Sequence, residues 1–367
     1  MSRPLHGGNL RWAADIAGCS PNCILDFSAS INPLGPPESA ISAIQTHLDT
    51  LTAYPDPSYQ SICQVLSEVH QLPVDWFLPG NGSAELLTWA CRDLAQLAWT
   101  GVLKPAFADY QRALKAFQAQ IRPLPLNLRQ IQHQSSSELI EQALQIARQS
   151  ADSAQAGLLL NNPHNPTGGL ISIHQIEPFL EQFPLVVVDE AFMDFLPVDA
   201  DYSLISKVQD FPNLVILRSL TKFYSLPGLR LGYAIGHPDQ LRPWQQCRDP
   251  WSVNSLAVMA GIAVLGDRAF QNKTLSWLPP VRTELMQGLV ALGAYPLEGA
   301  ANFLLVQTKV SVPLLQELLL KHHRILIRDC LSFPELGDQY FRIAVRTQAD
   351  NQRLLTALAD CLPRLSV

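Results

Sequence analysis

The stretch "LRSLTKFYSLPGLRLGYAIG", Leu217 to Gly236, sets a single lysine among residues that are, two arginines aside, apolar, hydroxylic, proline or glycine. Lys222 comes just past the strand-like run "LVILRS", with hydroxyls at Ser219 and Thr221 and a guanidinium at Arg230. Such surroundings are too apolar for a surface loop. An amine held in a partly desolvated place gives up its proton more readily than free lysine, whose pKa is ~10.4. The neutral amine is then a nucleophile.

The strand leading to Lys222 is the last of a series. "GVLKPAF", "AGLLLNNP", "PLVVVDEAF" and "NLVILRSL" alternate with the helical patterns "SSSELIEQALQIARQS" and "ISIHQIEPFLEQF". This alternation predicts an α/β layer with a largely parallel sheet. The runs "LLL" and "VVV" lack polar alternation, as strands covered on both faces do. Both helical patterns open with capping-box spacing, Ser135 to Glu138 and Ser172 to Gln175.

Ligands of open α/β sheets bind at the carboxyl ends of the parallel strands. After "GLLL" comes the loop "NNPHNPTGG" with Asn165, after "LVVV" comes Asp189, and after "LVIL" come Arg218, Ser219, Thr221 and Lys222. Each has a plainer explanation when taken alone: Asn165 as a turn former, Asp189 as a helix cap, the lysine as a solvated charge. Three successive strand ends carrying polar groups on one side make the stronger case for a site. A Schiff-base amine, a carboxylate for a pyridine nitrogen and a phosphate cradle are what pyridoxal phosphate requires. Lys222 and Asp189 fit the first two, and Ser219, Thr221 and Arg230 offer the third. "PGNGSAELLTWACRDLA", Pro79 to Ala95, adds a glycine-rich turn entering an amphipathic helix, whose free N–H groups favour an anion. It lacks the full G-x-G-x-x-G, which disfavours a nicotinamide site.

Bulk properties narrow the remaining classes. A length of 367 residues predicts about two domains. With 47% hydrophobic and 16% charged residues the chain is an ordinary globular protein, and a net charge of -6 leaves no basic surplus for a nucleic-acid backbone. The seven cysteines are scattered, and the close pair Cys19 and Cys23 has no second pair or histidine cluster to complete a metal site. They read as reduced thiols of a cytoplasmic protein with no metal. The start "MSRPLHGGNLRWAADIAG" lacks the apolar core of a signal peptide. Pro250 to Gly266 is free of charge but shorter than the ~20 residues of a membrane span, and reads as a core helix. No membrane association is expected.

Three segments are expected. Residues 1–40, rich in glycine, proline and asparagine, form an arm packed on the small domain and the active site. Residues 41–268 form the large domain, and 269–367 a smaller α+β domain built from "NFLLVQT", "VPLLQELLLKHH", "RILIRD", "YFRIAVR" and "NQRLLTALADCL".

"SLTKFYSLPGLRLGY", "VVVDEAFMDF" and "NNPHNPTG", in that spacing, resemble the fold-type I pyridoxal-phosphate enzymes of the class I/II aminotransferase group, over nearly the whole chain. "HGGN", "LDFSASINPLGPP", "YPDPSY" and "PWSVNSLA" resemble a branch of that group that decarboxylates L-threonine O-3-phosphate in cobalamin biosynthesis; enzymes that transaminate histidinol phosphate come next. The resemblance implies a three-layer large domain with a mainly parallel sheet. It implies that Lys222 carries the cofactor, Asp189 pairs with its ring nitrogen, Asn165 bonds its phenolic oxygen and Tyr110 stacks on its ring. Gly82, Ser83, Ser219, Thr221 and Arg230 would hold its phosphate, joined by Tyr54 from a second subunit, which makes the protein a homodimer with active sites at the interface. The phosphorylated amino-acid substrate would meet Arg328 and Arg342, with His6 and Asn32 of the arm closing over it.

Arg346 falls on the same strand face as Arg342 if the strand is regular, although a single arginine more often makes a surface salt bridge. Two positions depart from the group's pattern. Phe192 stands where its aminotransferases carry a tyrosine that donates to the phenolic oxygen, and His164 stands where a small or amide residue is expected. Decarboxylation and transamination differ in which bond at Cα stands perpendicular to the cofactor ring, a torsion that sequence does not set. A non-catalytic cofactor-binding regulator is the third alternative; it needs a DNA-binding module of about 60 residues or more, for which the charge and the N-terminus leave no room.

Overall fold

Leucine and β-branched runs form strands where both faces can be covered, and the computed structural model, which describes residues 3–128, 135–150, 152–197 and 200–365, places them so. β1 (Leu25–Asp26) lies in the N-terminal arm. β2 (Phe77–Asn81), β3 (Thr100–Lys104), β4 (Ile121–Pro125), β5 (Gly157–Asn161), β6 (Leu185–Asp189), β7 (Leu214–Ser219) and β8 (Leu231–Gly236) build one seven-stranded sheet in the order β2-β8-β7-β6-β5-β3-β4. Within it β8 alone runs against the others. β9 (Tyr295–Pro296), β10 (Phe303–Gln307), β11 (Ile325–Leu326), β12 (Arg328–Asp329) and β13 (Tyr340–Ala344) follow. β11 pairs in parallel with β1, and the other four form an antiparallel sheet ordered β12-β13-β10-β9.

Every residue of β5, β6 and β7 is buried. Alternate side chains feed two cores: Leu158, Val186 and Ile216 pack with helices Ser136–Arg148 and Ile173–Gln182, while Leu159, Val187 and Val215 pack with helices Ser83–Leu94 and Ala108–Ala116. This is the three-layer α/β arrangement expected from the alternation. Both capping boxes form, Ser135 with Glu138 and Ser172 with Gln175.

Three features differ from the reading of the sequence. β4 was not foreseen; its Pro123 and Pro125 look like strand breakers, but it lies at the sheet edge, where a missing N–H costs no ladder bond. The helix Arg268–Ala291 runs through Pro279 and Pro280 and was likewise unanticipated. The helix expected over Pro250 to Gly266 is shorter, Ser255–Leu265, because Asn254 caps it by accepting from Ala257 N. The arm is stitched onto the C-terminal unit: Ala344 N donates to Phe27 O at 2.8 Å, and Trp12, Ala13 and Ala14 pack with Leu320 and Leu326. Among the described residues no helix is long and apolar enough to cross a membrane.

Candidate active site

The carboxyl ends of β5, β6 and β7, the N-terminus of helix Ser83–Leu94 and the strands β12 and β13 converge on a cavity of about 290 Å³. Lys222, three residues beyond β7, lines it together with Asp189, the last residue of β6. Burial pulls the lysine pKa down from 10.5 to about 8; Arg342 and Arg230 push the same way, and Asp189 opposes them. Asp189 accepts from Tyr110 Oη at 2.7 Å and from Ala191 N at 3.0 Å. Burial raises its pKa above the ordinary carboxylate range, while these bonds and Lys222 pull it back.

Asn161, at the end of β5, braces the neighbouring strand ends. Its Nδ2 donates to Asp189 O at 2.8 Å and its Oδ1 accepts from Asn165 N at 2.7 Å. Asn165 Oδ1 in turn accepts from Arg342 Nη1 at 2.5 Å. Asn165 thus joins the large-sheet loop to the small sheet. His164, unexplained by sequence, holds this loop: its ring Nδ1 lies 2.8 Å from Thr167 Oγ1, and its backbone bonds Gly168 and Gly169. Burial lowers its pKa to about 4, so it is neutral.

Hydroxyls and a guanidinium gather beside the lysine. Ser219 Oγ and Thr221 Oγ1 are 2.7 Å apart, and Ser83, Ser219, Thr221 and Arg230 all line the cavity. Gly82 has φ +73, and a Cβ there would collide with the Arg230 guanidinium. Only glycine lets that cation lie against the start of helix Ser83–Leu94, where unpaired N–H groups already favour an anion.

A second cationic set faces the cavity from the small sheet. Arg328 and Arg342 are direct cross-strand partners on β12 and β13. Like charges placed so destabilise a sheet unless an anion joins them. Burial lowers both pKa values, that of Arg342 to about 10. Arg328 donates to Pro4 O at 3.1 Å, to Ser332 Oγ at 2.6 Å and to Leu5 O. Arg342 also reaches Ser28 O at 3.5 Å and lies over the Phe303 ring, 4.9 Å from its centroid. His6 lines the same cavity, its Nε2 3.7 Å from the Asp109 carboxylate. Phe192 lines it too, edge-on to Phe303 with centroids 5.0 Å apart.

Not every expected residue arrives there. Asn32 is 1% exposed and sits behind the lysine rather than over a substrate: its Nδ2 donates to Phe223 O at 2.8 Å and Thr274 Oγ1 at 2.9 Å, and its backbone N donates to Lys222 O at 3.1 Å. Its amide is fully engaged, since Oδ1 accepts from Leu34 N at 3.0 Å, and it ties the arm to the Lys222 loop and to Thr274. Tyr54 is 79% exposed and stacks on Trp251 at 4.5 Å, away from the cavity of its own chain. Arg346 escapes the expected strand face because β13 ends at Ala344; it pairs with Asp350 at 3.1 Å and donates to Asp26 O at 3.2 Å. Tyr110 was expected as a stacking ring, and its hydroxyl is bonded to Asp189. Asn161 and Ser28 were passed over in sequence. The first stands at a strand end where the signal lies; the second falls inside the stretch "LDFSASINPLGPP", whose resemblance singles out Asn32 instead.

The aminotransferase class I and II family profile matches residues 23–358. A threonine-phosphate decarboxylase of Salmonella typhimurium is 38% identical, over 97% of this chain and 96% of its own. A histidinol-phosphate aminotransferase of Symbiobacterium thermophilum is 32% identical, over 92% of this chain and 91% of its own. Among solved structures, the histidinol-phosphate aminotransferase of Sinorhizobium meliloti in complex with pyridoxal-5'-phosphate superposes with a TM-score of 0.84, at 20% identity over 99% of this chain and 96% of that one. The chain belongs to the class I and II aminotransferase family of fold-type I pyridoxal-phosphate enzymes. Its cofactor is pyridoxal 5'-phosphate, and the residues fit it: a poised amine, a buried carboxylate, and a cradle that a Cβ at Gly82 would fill.

Proposed function

We propose that the protein decarboxylates L-threonine O-3-phosphate to aminopropanol O-phosphate, for cobalamin biosynthesis. The observation that supports this best is the Arg328–Arg342 pair, a set of cations separate from the cofactor cradle. Phosphothreonine carries a carboxylate and a phosphate at once and satisfies both arginines, whereas histidinol phosphate has a single anionic group. The 38% identity to a threonine-phosphate decarboxylase points the same way.

When bound, pyridoxal phosphate supplies an electron sink for the pair released as a bond to the substrate Cα breaks. Lys222, buried and with its pKa lowered to about 8, would be the amine that holds the cofactor, and the same amine is placed to move a proton at the substrate Cα. Asp189 would face the ring nitrogen and keep it protonated, Tyr110 would lie against the ring, and Asn165 would bond the phenolic oxygen. Gly82, Ser83, Ser219, Thr221 and Arg230 would hold the phosphate, and Tyr54 would reach the same phosphate from the second subunit of a homodimer. Arg328, Arg342 and His6 hold the substrate anions and thereby the torsion that sends carbon dioxide out. Phe192 offers no hydroxyl to the phenolic oxygen. The chain works in the cytoplasm.

One assay decides the reaction. With O-phosphothreonine the enzyme is expected to release carbon dioxide; with histidinol phosphate and 2-oxoglutarate it is expected to form no glutamate. Glutamate formation without carbon dioxide release would replace decarboxylation by transamination.

A further inference from the structure

The glycines of the arm segment "HGGN" dock on Ser28, while His6 lies against Asp109 and the preceding Pro4 and Leu5 carbonyls accept from Arg328. Gly8 N donates to Ser28 Oγ at 2.8 Å, and Ser28 Oγ donates to Asp26 Oδ1 at 2.6 Å. Ser28 N reaches the same carboxylate oxygen at 2.7 Å. A hydroxyl has one proton; Asp26 takes it, so the oxygen lone pairs are left to receive Gly8. The Ser28 carbonyl meanwhile accepts from Arg342 Nη2 at 3.5 Å. Gly7 packs so closely on that carbonyl that a Cβ would collide with it, and Gly8 has φ +83. Both glycines are therefore required by the docking, not by chain mobility. Asp26 is anchored in its turn, because β1 pairs with β11 and Phe27 O accepts from Ala344 N, next but one to Arg342. Ser28 is 2% exposed, and its main chain and side chain face two different parts of the site.

We propose that Ser28, oriented by Asp26, is a positioning residue that fixes the arm and Arg342 in one geometry, so that His6 and the anion-binding arginine meet the substrate together. This rests on the reading of Arg342 and His6 as substrate-binding groups. Asp26 lies outside the cavity lining; Ser28 borders the cavity, but its hydroxyl is engaged by Asp26 and Gly8, so the effect of both passes through the arm.

Ser28→Ala removes the acceptor for Gly8 and leaves the backbone carbonyl in place. It is expected to raise KM for O-phosphothreonine about fivefold to tenfold, as loss of one hydrogen bond does, with kcat within about twofold and the absorbance of the bound cofactor unchanged. Deuterium uptake across residues 5–9 of the resting holoenzyme is expected to quicken about fivefold or more. Asp26→Asn keeps Ser28 but weakens the hold on its hydroxyl, and is expected to move both readouts in the same direction by less; should Ser28→Ala fail to fold, it decides alone. Either readout staying within about twofold of the wild type in both variants overturns the proposal. Uptake is measured without substrate, so a wild-type enzyme inert toward phosphothreonine would sink the substrate reading while the arm result still stood.

Discussion

Lys222 is the residue on which the chemistry turns, and its proton is what the fold has altered. A folded pKa near 8, against 10.5 for an ordinary lysine, means that between those values the folded amine is neutral while the unfolded one is charged. In the cofactor-free protein this group disfavours folding below pH 8, and the penalty is relieved as pH rises from 8 to 10.5. The same shift sets reactivity. Capture of pyridoxal phosphate by the cofactor-free protein, followed by absorbance after mixing, is expected to accelerate through a midpoint near pH 8. A midpoint near pH 10 would show a solvated lysine and defeat the assignment. Lys222, Asp189, Ser219 and Thr221, which the structure brings to one cavity, were all legible in sequence, because each stands within a few residues of the end of an apolar run. Asn32 was not, since whether its amide faces a cavity or the back of a loop depends on Phe223 and Thr274, far along the chain.

The strands β6 and β7 do two jobs by alternation. Asp189 and Ser219 face the cavity, whereas their chain neighbours Glu190 and Arg218 turn away and meet each other at 3.0 Å. Arg218 also binds Asp194 at 2.6 Å and Ser203 at 3.0 Å. This ion cluster lies beneath the site and ties the ends of both strands. Arg218→Ala strands the fully buried Glu190 carboxylate and removes the partner of the partly buried Asp194; it is expected to cost about 3 kcal/mol, read as a large fall in melting temperature with cofactor bound. A change under about 1 kcal/mol, the worth of a surface pair, would mean that water already screens the cluster. At this scale the strands in the middle of the chain were readable and β4 was not, for its prolines are tolerated only by an edge, and edges exist only once the sheet is assembled.

A single chain leaves Tyr54 and Trp251 stacked on its surface, with Leu48 and Leu51 exposed nearby in sequence. An exposed aromatic and aliphatic patch of this kind marks an interface, and a second copy is the partner proposed here. Mixed dimers test it. Tyr54→Ala and Lys222→Ala are each expected to be nearly inactive alone. Refolded together they are expected to regain activity, since one site of the hybrid receives an intact lysine from one chain and an intact tyrosine from the other. Mixing without recovery would mean that Tyr54 serves no neighbouring site.

Local order along the chain, apolar runs closed by an amide, a carboxylate and an amine, was enough to specify the α/β class and the cofactor and to single out polar groups that line one cavity, because strand ends in a parallel sheet must come together. The meeting of the arm, β12 and β13 with those ends is another matter. That Arg328 opposes Arg342, that Arg346 turns away, and that Ser28 receives Gly8 follow from pairing between residues from little more than a dozen to over three hundred positions apart, and such pairings are settled by packing rather than by any pattern within one segment.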